Sequence, residues 1–480
     1  GLALVIVFMI FYYAKGGWIA NLALFVNIFF ILGVLASTQG VALTLAGIAG
    51  IVLTIGMSVD ANVLIFERIK EELRNGAGMK QAISAGYNKA FWSIFDANIT
   101  TFIVGIILFT MGSGPVKGFA ITLMIGIASS FFTAIFITRV IVEALTKKGD
   151  KSKMTFAMGW SEKFLVGINV DFMSKRKIAY LFSGAFITLG LVAIIIKGVT
   201  LGVDFKGGRS FIVNFEQNQI PSAMKPALVP YFNNEGTEVK TYGADNILKV
   251  TTSYETEDTS EAADLKVRKA LVAGLEDYSG LTYVEDPSKL DASTFTISGQ
   301  SKVSPTIADD IKNSSYQSGA IALILIFLYV VLRFRKWQFG LGATVALLHD
   351  ALCVISAFAI ANLFGFALEI DQVFVAAILT VIGYSINDTV VVFDRIRENA
   401  DNKVGADIVR LFNESLNTTL SRTMMTSFTT LIVVLILFIF GGPALQGFSF
   451  ALIVGIVFGT YSSIFIATPI VVDLTKEKNQ

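Results

Sequence analysis

The sequence predicts an all-α polytopic membrane bundle of two pseudo-repeated halves, with a small α+β domain outside the bilayer. Three observations lead there. Apolar runs of membrane-crossing length recur along most of the chain, one pattern occurs twice, and a single long polar stretch interrupts the second half. The composition agrees, with 54% hydrophobic and only 16% charged residues. A formal net charge of +1 provides no global field for nucleic acid.

The apolar runs lie at about 1–14, 18–36, 41–66, 92–112, 115–143, 178–197, 317–333, 338–362, 371–394, 420–441 and 443–472. About 20 apolar residues cross a bilayer as a helix, so these are eleven spans, the first of them short. The chain opens at Gly1 inside an apolar segment, with no Met or signal peptide ahead of it. That start reads as a fragment without its N-terminal portion. The single Cys353 sits in an apolar run, which excludes an internal disulfide and leaves the redox compartment open.

Lysine and arginine set the orientation. The 67–91 loop carries Arg68, Lys70, Arg74, Lys80 and Lys89. The 144–177 stretch carries Lys147, Lys148, Lys151, Lys153, Lys163, Lys175, Arg176 and Lys177. Further clusters run from Arg333 to Lys336 and from Arg395 to Lys403, with Arg410 beyond and Lys476 and Lys478 in the tail. If every run crosses once, all of these fall on one side, the cytoplasmic one. The domains are then a first membrane half at 1–143, a cytoplasmic basic linker at 144–177 and the opening span of the second half at 178–199. An extracytoplasmic domain follows at 200–315, and 316–480 holds the remaining spans and a cytoplasmic tail.

Within 200–315, Arg209–Glu216 reads as a strand, Ser222–Asn233 as a helix and Val239–Tyr254 as paired strands. Glu261–Tyr278 reads as a helix and Thr294–Ser298 as a strand. The natural closure is a β-α-β-β-α-β sandwich of ferredoxin-like type. It contains no nucleophile–base set and no metal-ligand cluster, so binding rather than chemistry is its expected work. Gly207-Gly208 reads as a tight turn into its first strand.

The two halves repeat. Gly56–Arg68 is echoed by Gly383–Arg395, with Phe66-Glu-Arg68 matching Phe393-Asp-Arg395. Gly114-Pro115 matches Gly442-Pro443, and Gly126-xxx-Ser130 matches Gly455-xxx-Gly459, a small-residue spacing that lets helix backbones approach. Parallel repeats of this kind place coupling sites near the midplane between the halves.

Asp60 and Asp388 lie inside the repeated runs. A carboxylate in hydrocarbon costs roughly 2.5–3.5 kcal/mol on insertion scales, so an acid there is functional by default. With Gly56 one turn before it, Asp60 faces a close neighbour helix and reads as a group that loads and releases a proton. The plainer alternative is a structural helix–helix hydrogen bond. In the repeat, Asp60 faces Asn387 and Asp388 faces Ala61, a shift of about 100° round the helix. The two carboxyls are therefore not symmetric, which suits a stepwise relay. Arg422 opens the next span, beside Asp388 on an antiparallel neighbour, where a guanidinium meets its charge or simply snorkels to the surface.

Asn62, Asn387, Thr389, Ser58, Ser385, Asp96 and Asn98 supply further polar groups in the spans. Each serves as a relay step or, more plainly, as a satisfied interhelical contact worth about 0.6 kcal/mol. His349, the only histidine, adjoins Asp350; it reads as a switch or as an interfacial residue. No GxxxxGK[ST] phosphate loop, HExxH or metal-spaced Cys/His set occurs, so no cofactor, metal or ATPase activity is expected.

Leu43–Arg68 resembles the SecD signature, and Leu201-Gly-Val-Asp-Phe-Lys-Gly-Gly208 and Ser385–Arg395 resemble SecF. The order implies a natural fusion within the SecD/SecF protein-export family, of the resistance–nodulation–division superfamily, joined at the basic linker. That family has twelve spans and a large first outer domain on SecD; the first span and that domain are absent from this sequence. The resemblance implies a bacterial inner-membrane accessory of the Sec channel (SecY, SecE, SecG, with YajC and YidC). It would use H+, or Na+ in some members, to draw unfolded preprotein outward. It also favours the relay role of Arg422. The rivals are an efflux pump of the same superfamily, exporting a small molecule or lipid, and a purely structural scaffold. The outer domain is too small to house an efflux tunnel, and the duplicated buried acids oppose a mere scaffold.

Overall fold

The computed structural model describes residues 1–38, 44–147, 149, 154–165, 167–242, 244–366, 368–402 and 407–476. Lys148, Lys151, Lys153, Lys403 and Lys478 of the basic clusters lie outside them. The first half comprises α1 (Leu2–Tyr13), α2 (Lys15–Ser37), α3 (Leu45–Arg74), α4 (Met79–Met111), α5 (Gly114–Phe132) and α6 (Thr138–Leu145). The second opens with α7 (Arg176–Lys197), then β1 (Thr200–Leu201), α8 (Val203–Lys206), β2 (Gly208–Phe215), α9 (Pro221–Leu228), β3 (Thr237–Tyr242) and β4 (Ala244–Thr252). It continues with α10 (Glu261–Ser279), β5 (Thr282–Tyr283), β6 (Thr294–Val303), α11 (Pro305–Phe334), α12 (Trp337–Leu363) and β7 (Glu369–Ile370). It closes with α13 (Gln372–Asn402), α14 (Ile408–Phe440), α15 (Pro443–Ser462) and α16 (Thr468–Lys476).

Among the described residues ten helices are long and apolar enough to cross a membrane, and α1, at 12 residues, is shorter. This is a multi-pass membrane protein. The helices outrun the apolar runs: α4 begins at Met79 rather than 92, α14 at Ile408 rather than 420, and α3 runs on to Arg74. Hydropathy marks only the part suited to hydrocarbon, whereas a capped polar extension keeps the helical ladder going. Asp407, for example, accepts from the Arg410 amide at 3.0 Å and so caps α14. Arg422 therefore lies within α14, at the start of the part suited to hydrocarbon.

α3 and α13 form the centre. Their apolar windows are 67% and 83% buried, against 22% for the peripheral α7. The small-residue motifs work as read. A Cβ on Gly126 would meet Thr54 Cγ2 at 2.5 Å, and one on Gly455 would meet Val381 Cγ2 at 2.1 Å. Both positions thus let the last long helix of each half close on its central helix. In each half that helix then passes through a short π-helical turn, Thr133–Ile137 and Ser463–Ala467. The linker packs against the basic end of the bundle: Phe156 and Met173 are buried, and the Asn417 side chain accepts from the Val170 amide at 2.8 Å.

The outer domain has a five-stranded sheet of order β3-β4-β2-β6-β5. β2 is antiparallel to both β4 and β6, and β5 pairs parallel to β6. α9 and α10 cover one face, burying Phe211, Phe215, Phe232 and Leu271. Gly208 opens β2 at φ +132°, where a Cβ would sit 2.7 Å from the Thr252 carbonyl oxygen. Sequence reading missed two contacts with the membrane body. β1 pairs parallel with β7, and Lys240 and Lys249 both reach Glu369, at 3.1 and 3.4 Å.

Candidate ion-relay site

α3, α13 and α14 converge on a small internal cavity of about 50 Å³. Its walls include Asp60 from α3, Tyr384, Asn387 and Asp388 from α13, Arg422 and Thr426 from α14, and Asn98 from α4. A cavity of that size has room for about three waters. Asp60 is 7% exposed and Asp388 5%. The two carboxyls are within electrostatic range of each other and of Arg422.

Hydroxyls of α14 serve both acids. Thr429 Oγ1 donates to Asp60 Oδ1 and Ser427 Oγ donates to Asp388 Oδ2, each at 3.3 Å. Ser427 also bonds Thr460 on α15 at 2.5 Å. Across the cavity, Thr101 of α4 donates at 2.8 Å to the Gly383 carbonyl, fastening the two halves one turn above Asp388. Each carboxylate keeps acceptor positions beyond its one 3.3 Å bond from α14.

Arg422 makes no ion pair within 4 Å among the described residues. It borders a second, larger cavity as well, of about 570 Å³, lined by Arg68, Glu71, Arg395, Arg410 and Asn413 at the basic end. Its guanidinium thus separates the acids from a polar vestibule, while staying within range of Asp388, Asp394 and Asp60. A cation there interacts with a charged carboxylate and less with a neutral one.

The other candidates divide. Asn387 lines the small cavity. Asn62, two residues after Asp60, is buried, and its Oδ1 has no hydrogen-bond partner among the described residues. Ser58 bonds the Ile55 carbonyl and Thr389 the Ser385 carbonyl, each within its own helix. Asp96 faces away from the cavity: Tyr329 donates to it at 2.7 Å and Arg333 pairs with it at 2.6 Å, tying α4 to α11. His349 and Asp350 form a separate buried cluster, in which Ser385 also takes part. Sequence reading missed Thr426, Ser427, Thr429 and Tyr384. Their signal is the density of hydroxyls in Ser421-Arg-Thr-Met-Met-Thr-Ser-Phe-Thr-Thr430, unusual for a span.

A family model for the protein export membrane protein SecD/SecF, C-terminal part, matches residues 1–148 and 285–477. The chain belongs to the SecD/SecF family. A model for the SecD/SecF GG motif also matches residues 192–219, around Gly207-Gly208. The protein translocase subunit SecDF of Bacillus subtilis is 36% identical over 98% of this chain and 62% of its own length. SecF of Rhodothermus marinus is 45% identical over 64% of this chain and 93% of its own. SecD of the same organism is 63% identical over 30% of this chain and 23% of its own. The crystal structure of SecDF from Thermus thermophilus, a translocon-associated membrane protein, superposes with a TM-score of 0.85 at 33% identity. It covers 99% of this chain and 61% of that one. A SecDF in a super-membrane-facing form gives 0.75. The chain therefore spans about three fifths of the SecDF relatives it matches.

Proposed function

We propose that this chain is the membrane engine of an accessory subunit of the Sec protein translocase, using a proton gradient to promote preprotein export outside the membrane. The observation that carries the reading is the pair Asp60 and Asp388. Carboxyls from two repeated helices share one small cavity, and Arg422 stands between it and the polar vestibule. Asp60, Asp388 and Arg422 are the relay, and H+ is the transported ion. Proton loading neutralises a carboxylate, weakens its attraction to Arg422 and changes how α14 packs on α3 and α13. One proton crossing 100 mV supplies about 2.3 kcal/mol, enough over repeated cycles to bias a bound segment outward.

The basic end of the bundle, with the linker and tail, faces the cytoplasm of a bacterial cell, and the outer domain faces away from it. The strand order β3-β4-β2-β6, antiparallel throughout, supports a ferredoxin-like outer domain with β5 added at one edge. The β1–β7 pairing and the Glu369 contacts carry motion from α13 to that domain. The partners are the Sec channel of SecY, SecE and SecG, with YajC and YidC, and an unfolded preprotein. No chemistry on the substrate is required, because the work comes from the ion gradient. Ion flux into liposomes tests the reading, with proton and sodium gradients compared. Asp388→Asn should keep the melting temperature and lose proton flux. Full flux in that variant would refute the relay.

A further inference from the structure

The cluster around Asp350 takes no part in that relay, yet among the described residues Asp350 is the most completely buried charged side chain of the second half. Asp350 has no exposed surface, and His349 is 7% exposed. Asp350 Oδ2 accepts from Ser385 Oγ at 2.5 Å and from Ser462 Oγ at 2.8 Å. Its Oδ1 lies 2.9 Å from His349 Nδ1. On the far side of the ring, His349 Nε2 lies 3.0 Å from Ser183 Oγ on α7. Ser183 donates to the Tyr461 hydroxyl at 3.1 Å, and Tyr461 donates to the Ala179 carbonyl at 2.8 Å.

The shorter contacts assign the protons, with the Cys353 thiol a longer third neighbour of His349 Nε2 at 3.5 Å. The Tyr461 hydrogen goes to a carbonyl, and the Ser183 hydrogen goes to Tyr461. Ser183 must then accept from His349, which places a hydrogen on Nε2. The 2.9 Å contact between Nδ1 and Oδ1 needs a hydrogen of its own. It holds one either as imidazolium with carboxylate or as imidazole with carboxylic acid. In both forms the pair contains one proton more than a neutral histidine beside a charged aspartate. Without it, a lone pair on Nδ1 would face a carboxylate oxygen, inside a bundle where an unpaired charge is costly.

The first half supplies an internal control. Gly17, Ala20, Ala23 and Leu24 of α2 align with Gly340, Ala343, Ala346 and Leu347 of α12, and this places Asn27 opposite Asp350. Asn27 is fully buried, and both its amide atoms lack a hydrogen-bond partner among the described residues. The π-helical turn follows in both halves, so the acid is not needed to build it. What the second half adds at this position is a group that binds a proton.

We propose that His349 and Asp350 form a second proton-loading site, holding one proton between Nδ1 and Oδ1 and releasing it as the bundle moves. This rests on the reading that the bundle transports protons. Loss of the proton sets Nδ1 against Oδ1 and drives the two side chains apart. Ser385 lies one turn before Asp388 on α13, and Ser462 ends α15 just before its π-helical turn. Both follow Asp350, so the site is coupled to the relay through two helices. The titratable groups around it are His349 and Cys353 on α12 and Tyr461 on α15. α13 contributes Ser385, with Asp388 beyond, and α7 contributes Ser183.

Infrared difference titration and proton flux in liposomes test the proposal together. Asp350→Asn copies what the first half carries at this position and should fold normally. His349→Gln keeps the carboxylate and its two serines. Each should remove one protonation step from the infrared titration and lower flux by about a hundredfold. Asp388→Asn should remove a different step. An unchanged titration in both variants, or wild-type flux in either, overturns the proposal. Retained flux in Asp388→Asn instead refutes the relay reading, while the infrared step still reports on His349 and Asp350.

Discussion

Arg68 and Arg395 occupy the same place in the two halves, and each grips the glutamate of the other half. Arg68 reaches Glu398 at 2.9 Å and Arg395 reaches Glu71, while each also pairs with the glutamate three residues along its own helix. The four side chains close a ring of alternating charge across the C-terminal ends of α3 and α13. The arginines are 12% and 11% exposed and the glutamates 28% and 30%, so the ring is shielded without being dry.

Breaking that ring should loosen the junction between the halves. Arg68→Ala or Glu398→Ala leaves a partly buried charge without one partner, at a cost of about 1–2 kcal/mol after discounting for the exposed glutamates. The double variant should cost less than the sum of the two. Thermal unfolding in detergent measures this, and strict additivity would mean that the pair is not coupled.

The hydroxyls of α14 should matter more for transport than for folding. Ser427→Ala and Thr429→Ala each remove one 3.3 Å bond to an acid, worth about 0.6 kcal/mol for an average contact in a bundle. We expect melting within a few degrees of wild type and reduced proton flux for both. Flux equal to wild type in the double variant would show that the hydroxyls are bystanders.

Gly455 marks a tight approach of α15 to α13. Gly455→Ala puts a methyl 2.1 Å from Val381 Cγ2 and should destabilise by about 1–3 kcal/mol. Val381→Ala in the same chain clears the space and should recover most of that loss, as read by thermal melting.

The outer domain should stay latched down to acid pH. Burial alone pushes the Glu369 carboxyl up, but Lys249 and Lys240 outweigh it and hold the group below the ordinary glutamate range. A depressed value in the folded state means that the latch contributes fully above about pH 4.3 and is lost as pH falls through the lower folded value. Spin-label distances between the outer domain and the bundle should therefore be narrow at neutral pH and broaden only well into acid. Glu369→Gln should broaden them at every pH.

Arg209 anchors the outer sheet in the same sense. Its guanidinium is 1% exposed and bonds Asp264 at 2.7 Å and the Glu255 and Asp258 carbonyls at 2.5 and 2.6 Å. Burial pushes the Asp264 carboxyl up, yet hydrogen bonds from Lys302 and Arg209 prevail and hold it below the aspartate range. Asp264→Asn should thus lower stability at neutral pH. The gap to wild type should close as pH falls through the low folded value, and circular dichroism melts across pH would follow it.

Much of this architecture is legible in the sequence because hydrocarbon imposes a length and the repeat imposes a register. Asp60 and Asp388 stand out because acids in apolar runs need a reason. Two kinds of feature do not show. Helices that leave the membrane, such as the start of α4 at Met79, turn amphipathic and escape a hydropathy reading. Partners distant in sequence also escape it: nothing near Asp96 points to Arg333, and nothing near Lys240 or Lys249 points to Glu369. Thr429 and Ser427 are visible as hydroxyls, but only packing tells which acid each one serves.

That Asp60 and Asp388 take their hydroxyls from one and the same helix has a consequence for timing. A faithful duplication would have provided two donors on two opposed helices, and the two acids would have worked independently. Here both donors, Thr429 and Ser427, sit on α14 within a single turn, so any displacement of that one helix alters the hydrogen bonding of both acids together.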